Sequence, residues 1–600
     1  MYEATTAAAR EESTDGPNAD VTGPAESEPA TVTSDAHRPG RPLVLMLALV
    51  GGWLVHVAWR IYLSRSVPYV TVHPDEDGYL IAARVFAGGP GGVSVGEGAL
   101  FRRVLYPLLI SPAYWPTTEP FTVFRNVQVI NALLNALTFP LAYLFARRVL
   151  DVRRVLALVA AFAVAALPAV AYYSEFAMID TILAPVALGW LILLHVALTG
   201  TNSRRALLAA VGSGAFAGSI YLSHARGTVL VAVHVFAVLL LAVLRRFAWR
   251  RALLAAGSAV VVAALDFPLK AILGSAISIG NAGVSESRLK VHLTTVDGLV
   301  TTVCRAIGQM WSLMVSGWGL SGVAVVLTVA WLLRRRDTDW QRWAVLVTAL
   351  LASVGIAFIS AAGLPDDLRI NHQVYPRYLA FLVPVWTLAG IAALLNVGIR
   401  RAALRAAGGA AAVVAAGFIV LAYDGRHMPQ EYFIAWDAPE TSFLSNTYTH
   451  LRVAVATAAV LGLLAVFAAM LAHRRTSQVA LAILILFNGV ALYTITERIS
   501  EPRSSAEYQD VPRLIRDIGV KPGETVGYYA GMHYIVRGQH EREIYWTRLQ
   551  YFTDLRQPPP GVDLVIAPLD RNNSAASFSE GSEWHLIGED RVHHWGVWRR

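Results

Sequence analysis

Apolar runs of about 20 residues, the length an α-helix needs to cross a bilayer core, recur along most of this chain. They fall near 43–63, 122–146, 155–173, 177–199, 206–222, 228–244, 252–274, 317–333, 342–362, 377–397, 406–423, 452–472 and 479–496. This pattern predicts an α-helical polytopic membrane protein of about thirteen spans. The connections between runs alternate in kind. Every second one carries clustered arginines: Arg38/Arg41, Arg147/Arg148/Arg153/Arg154, Arg204/Arg205, Arg245/Arg246/Arg250/Arg251, Arg334/Arg335/Arg336, Arg400/Arg401/Arg405 and Arg474/Arg475. The others, 64–121, 174–176, 223–227, 275–316, 363–376 and 424–451, hold most of the acids, histidines and aromatics outside the runs. By the positive-inside preference the arginine-rich connections face the cytoplasm and the acid-rich ones face outward. An odd number of crossings then leaves the N-terminus in the cytoplasm of a plasma-membrane protein and the segment after 497 outside.

Composition agrees with this assignment. The 600 residues are 55% hydrophobic and 15% charged, whereas soluble chains carry about a quarter charged residues. A formal charge of +8 would point to nucleic acid in a soluble protein. Here the arginines sit at the ends of apolar runs, so the charge records topology and no nucleic-acid partner is expected. The single cysteine, Cys304, excludes an internal disulfide and a thiolate-rich metal centre.

Residues 1–40 are polar, acidic and aperiodic, and are expected to form a disordered cytoplasmic tail. In the first outward segment, 78–88 and 101–111 have helical periodicity and flank a glycine-rich turn. Beyond 497 hydrophobicity drops. There PRLIRDIGV has a helical pattern, TVGYYAG and VDLVIAPL read as strands, and residues 498–600 are expected to form a small α/β domain on the outer side.

Four outward segments carry candidate chemistry. The densest is His73-Pro74-Asp75-Glu76-Asp77-Gly78-Tyr79. Three adjacent carboxylates repel one another, which favours a general base near neutral pH; the competing use is ordinary capping of the helix that follows. Tyr172-Tyr173-Ser174-Glu175 and Asp180 put two more acids at the membrane edge. Asp180 needs a cavity or a cationic partner, and a structural arginine would serve equally. Ser223-His224-Ala225-Arg226 offers a guanidinium for a phosphate or for lipid headgroups. Asp366-Asp367 with His372, Tyr375, Arg377 and Tyr378 forms the fourth, where tyrosines also serve as interfacial anchors. Rings that suit sugar stacking include Trp115, Trp436, Tyr529, Tyr545 and Trp546, although anchoring and packing are commoner uses.

Asp75-Glu76 with Tyr79 after the first span, Asp180, Arg226 and Tyr375-Pro376-Arg377-Tyr378 ahead of Pro384 resemble the GT-C glycosyltransferases. The resemblance is to the protein O-mannosyltransferase and lipid A aminoarabinose transferase branch, and covers roughly 43–400. It implies a GT-C-like transmembrane module over 41–400, further helices over 401–497, and a sugar donor linked to polyprenyl phosphate. Asp75 would be the catalytic base with Glu76 beside it, and Asp180 a second acid on the acceptor side. Arg226 and Arg377 are candidates for the lipid phosphate. Asp77, Tyr79, Glu175, His224, His372 and Tyr378 join the substrate-binding set, although His73, Pro74 and Asp77 match nothing in the family pattern. The acceptor would be a glycan, lipid or protein within reach of the membrane lipids. No cofactor is required; a divalent cation on His73, Asp75 and Asp77 is the alternative.

Two other classes remain open. A transporter or flippase would use charges near the bilayer midplane, for which Asp266 beside Pro268 is the best residue. A noncatalytic scaffold would use its C-terminal domain to hold envelope partners.

Overall fold

The computed structural model describes residues 40–72, 75–89, 103–201, 203–274, 283–334, 339–503, 513–521, 523–544, 548–569 and 583–600. The N-terminal tail, His73, Pro74, most of the glycine-rich turn, Tyr545 and Trp546 lie outside them. The chain divides into two compact units, Met1–Ala48 and Leu49–Arg600. The first supplies the opening turns of the helix Gly40–Leu63; the site and its supports belong to the second.

Nine of the described helices are long and apolar enough to cross a membrane, from Leu43–Ser66 to Ser477–Arg503. A further pair, Arg154–Ala165 and Pro168–Glu175, is bent by 63°. Three shorter apolar helices, Gly227–Val243, Leu320–Arg334 and Ala380–Leu394, lie on the remaining apolar windows. The chain is a multi-pass membrane protein.

The 63° bend has a local cause and a local remedy. Pro168 disfavours helical geometry at Leu167, which is extended at φ −56° and ψ 137°. A break at membrane depth frees carbonyls that water cannot reach, so side chains must take them. The helix Pro120–Ala136 supplies these from one face, at spacings of three and four. Gln128 Nε2 donates to the carbonyls of Val67 and Glu175 at 2.7 and 2.9 Å. Asn131 Nδ2 donates to Phe176 O at 2.7 Å, and Asn135 Nδ2 to Val170 O and Thr181 O at 3.0 and 2.6 Å. This fixes the turn that carries Glu175 and Asp180.

The connection 275–316 differs from expectation. Its second half is the helix Val296–Ser316, capped by Thr295, whose hydroxyl accepts from Gly298 N at 3.1 Å. Thr302, Arg305, Gln309, Ser312 and Ser316, again three and four apart, are all buried. Their polar stripe faces the protein and props the loops beyond it: Arg305 pairs with Asp366 at 3.0 Å, Ser312 donates to Val374 O at 2.5 Å, and Ser316 to Glu440 at 3.2 Å.

The C-terminal part is a five-stranded sheet with strand order β2-β1-β3-β5-β4. The strands are β1 (Thr525–Tyr529), β2 (Arg548–Phe552), β3 (Leu564–Pro568), β4 (His585–Asp590) and β5 (Trp595–Arg599). β1 runs parallel to β2 and β3, and β5 antiparallel to β3 and β4. The helix Tyr534–Ile544 crosses between β1 and β2. PRLIRDIGV is not a helix. Its described part makes a single turn, closed by Asp517 N to Arg513 O at 2.9 Å and ended by Gly519 at φ +77°.

Candidate active site

The helix Asp75–Phe86 begins at the acidic run. Successive helical residues point about 100° apart, so the three carboxylates fan outward rather than cluster. Asp75 reaches Arg377 Nη1 at 3.1 Å and lines a cavity of about 290 Å³. Glu76 turns inward and is fully buried: its Oε2 accepts from Thr71 N and Val72 N at 2.9 and 2.7 Å, and its Oε1 from Ala177 N at 2.7 Å. Asp77, also buried, pairs with Arg542 of the C-terminal domain. Mutual repulsion within the run is therefore not the organising force that the spacing implied.

Four charges from four segments form one alternating chain. Arg377 bridges Asp75 and, through Nε at 2.9 Å, Asp180. Asp180 also accepts from Arg226 Nη1 at 3.2 Å. Arg226 Nη1 further donates to the carbonyl of Arg377 at 3.2 Å, and its guanidinium lies 4.3 Å over the Tyr378 ring. Asp180, Arg226 and Arg377 are all buried, whereas the Asp75 side chain is 51% exposed and open to the cavity. His224 and Tyr79 line the same cavity; His224 Nδ1 accepts from Arg226 N at 3.1 Å, and burial pushes the Tyr79 phenol up.

The rest of the wall comes from Arg369, Asp437 and Arg503, which the sequence did not single out, and from Trp436, which it offered only as a ring for sugar stacking. Leu368–Asn371 docks against 432–434: Ile370 N donates to Tyr432 O at 3.2 Å and Ile434 N to Asn371 Oδ1 at 2.8 Å. This brings Arg369 onto Asp437, a fully buried carboxylate whose pKa burial raises against the pull of Arg369. Trp436 packs edge-on to Tyr173 and Phe176 and lies 5.0 Å below the Arg377 guanidinium. Arg503, at the end of the last span, completes the lining. Several buried donors here have no hydrogen-bond partner among the described residues: Arg226 Nε and Nη2, Arg369 Nε and Trp436 Nε1. With Arg226, Arg369, Arg377 and Arg503 against Asp75, Asp180 and Asp437, the formal balance is one positive charge in excess, which suits an anion.

Other expected site residues stand elsewhere. Glu76 holds backbone amides and does not reach the cavity. Glu175 is buried beneath the hydroxyls of Thr496 and Ser500, at 2.5 and 2.9 Å. His372 sits behind the wall, its Nδ1 3.0 Å from Asp367 and 3.1 Å from Pro365 O, and burial pushes its pKa down to about 4. Asp75 and Asp77, the described members of the alternative cation set, face different sides of the helix and do not converge on one ion. Asp266 is not a lone charge: it starts a new helix, Asp266–Gly274, and pairs with Arg103 at 2.6 Å and Lys270 at 2.7 Å.

No protein-family model matches the chain, and no curated protein matches it. Among solved structures it is similar to the crystal structure of ArnT from Cupriavidus metallidurans bound to undecaprenyl phosphate. The TM-score is 0.54 at 16% identity, over 94% of this chain and 98% of that one. It is also similar to the apo oligosaccharyltransferase of Archaeoglobus fulgidus, with a TM-score of 0.41 at 14% identity over 88% and 70%. The first likeness runs nearly the full length of both chains and shows that this chain shares the fold of that structure.

Proposed function

We propose that this protein is a glycosyltransferase that moves a sugar from a polyprenyl-phosphate carrier to a glycan, lipid or protein acceptor at the outer face of the membrane. The observation that carries this reading is a cavity holding one solvent-open carboxylate, Asp75, beside buried guanidinium and indole N–H groups with no hydrogen-bond partner among the described residues. Free N–H groups of this kind match phosphate oxygens, and the fold it shares with ArnT bound to undecaprenyl phosphate supports a lipid-linked donor.

In this scheme the acceptor oxygen attacks the anomeric carbon from the face opposite the phosphate, giving inversion. Its proton passes to Asp75. The bond between the anomeric carbon and the phosphate oxygen breaks, and its electron pair leaves with polyprenyl phosphate, whose charge Arg226 and Arg369 receive. A phosphate leaving group needs no general acid, so one carboxylate suffices. Asp180 acts as a brace that aims Arg226 and Arg377. The scheme calls for no nucleotide and no metal ion.

The test is incubation of purified protein with radiolabelled polyprenyl-phosphate sugars and envelope acceptors, comparing wild type with Asp75→Asn. Transfer by wild type and its loss in the variant is expected. A wild-type protein that transfers label from no donor refutes the reading.

A further inference from the structure

The C-terminal domain contacts the chain on both sides of Asp75, at Tyr69 and Asp77. Arg542, from the helix Tyr534–Ile544, pairs with Asp77, the two side chains being 6% and 1% exposed. The same guanidinium lies 5.2 Å from the ring centre of Tyr69. Just before the domain, Arg503 Nε donates to Thr71 O at 3.1 Å, and at its start Arg513 lies 3.7 Å over Phe121. Tyr69, Thr71 and Asp77 are thus held from outside the membrane-spanning part, while Glu76 ties the same segment to Ala177 from within.

The Tyr534–Ile544 helix is built for this. Gln539, His540, Glu541 and Arg542 are consecutive, polar and all buried. His540 faces the sheet, 3.0 Å from Tyr528 of β1 and stacked edge-on against Trp595 of β5 at 4.3 Å. Arg542, two positions on and so about 200° round the helix, faces Asp77. A run of buried polar groups on a helix is costly unless partners offset it, and three of these four meet one: His540 meets Tyr528, Glu541 accepts from the Tyr551 hydroxyl, and Arg542 pairs with Asp77.

We infer that Arg542 is a positioning residue: by holding Asp77 in the first turn of Asp75–Phe86, it fixes that turn and keeps Asp75 at the cavity. This rests on the transferase reading for its kinetic consequence, not for its geometry. Misplacing a reacting group by about 1 Å can cost about 100-fold in rate.

The full-length protein in lipid nanodiscs, with Arg542→Ala, Arg542→Lys, Asp75→Asn and the double variant Asp75→Asn/Arg542→Ala, provides the test. Amide hydrogen exchange across 69–80 should quicken in Arg542→Ala while β1, β3 and β5 stay protected. Turnover should fall about 10- to 100-fold with donor KM changed less than about threefold, and Arg542→Lys should recover part of it. In the Asp75→Asn background the further loss of Arg542 should leave the residual rate unchanged. Unaltered exchange at 69–80, or the same fold-loss in both backgrounds, overturns the inference. Were wild type to transfer no sugar, the transferase reading would fall, and exchange alone would decide whether Arg542 holds the segment.

Discussion

Asp75 and Glu76 are neighbours with the same charge, and the structure predicts opposite phenotypes for their amides. Glu76→Gln keeps the shape but removes the charge that three backbone N–H groups share at 2.7–2.9 Å. The new amide oxygen can keep Thr71 and Val72. Its NH2 then opposes Ala177 N–H, donor against donor, in a site with no solvent. A hydrogen bond to a charged group contributes about 1.5–3 kcal/mol and an unmet buried donor costs about 1–3 kcal/mol. The expected destabilisation is therefore about 3–5 kcal/mol, with activity lost along with the fold. Asp75→Asn gives up one half-exposed ion pair, worth about 0–1 kcal/mol, and leaves Arg377 on Asp180 at 2.9 Å. It should unfold like wild type yet keep only a small residual rate of sugar transfer. Reversible unfolding in mixed micelles measures the first quantity and label transfer the second. A Glu76→Gln protein within about 0.5 kcal/mol of wild type would contradict the hydrogen-bond accounting.

Arg226→Ala should lower kcat/KM for the lipid-linked donor by about 100- to 1,000-fold, as loss of a donor to developing charge does. Arg226→Lys should recover little, because a point charge cannot reproduce the fork; steady-state kinetics on both variants checks this. Asp266→Asn should cost about 1–3 kcal/mol through Arg103 and Lys270 but keep transfer by the folded fraction, and loss of transfer at full stability would restore Asp266 as a working residue. In the C-terminal domain, burial pushes Glu541 and Glu543 up to about 7 and His540 down to about 3. Each raised carboxyl contributes stability that is present at acid pH and lost as pH rises from about 4.5 to 7; the depressed histidine contributes stability that is lost as pH falls below about 6.5. Between pH 4.5 and 6.5 these three groups hold one more proton folded than unfolded, two gained and one lost. Unfolding followed by tryptophan fluorescence should therefore show higher stability at pH 5 than at pH 7.

The membrane-spanning part was largely legible because its signal, apolar length, is one-dimensional. Asp75, Asp180, Arg226, Arg377 and Tyr378 could be selected because each interrupts an apolar pattern at one membrane edge. Arg369, Asp437 and Arg503 could not, and Trp436 stood out only as one of several rings. They meet the others only through the pairing of 368–371 with 432–434 and through the end of the last span, and no spacing in the chain announces either. Arg369 carried one clue, lying between Asp366-Asp367 and Arg377 in the same connection. The helix Val296–Ser316 was missed for a different reason: its polar stripe faces inward, so a rule that assigns polar residues to water assigns the wrong side. Asp77 and Glu175 have the composition of site residues, and only three dimensions reveal that they are occupied elsewhere.

Asp75, Glu76 and Asp77 fan outward from one helical turn toward three different partners. Each of the three side chains is told apart from its neighbours by angle alone, so their identity lies in the pitch of the first turn rather than in their chemistry. Exchanging one acid for another of similar length perturbs a single partner, but inserting or deleting one residue between Asp75 and Asp77 would turn the acids on one side of the change about 100° relative to those on the other and part at least one of them from its partner. Length, more than composition, is what this stretch of chain must keep.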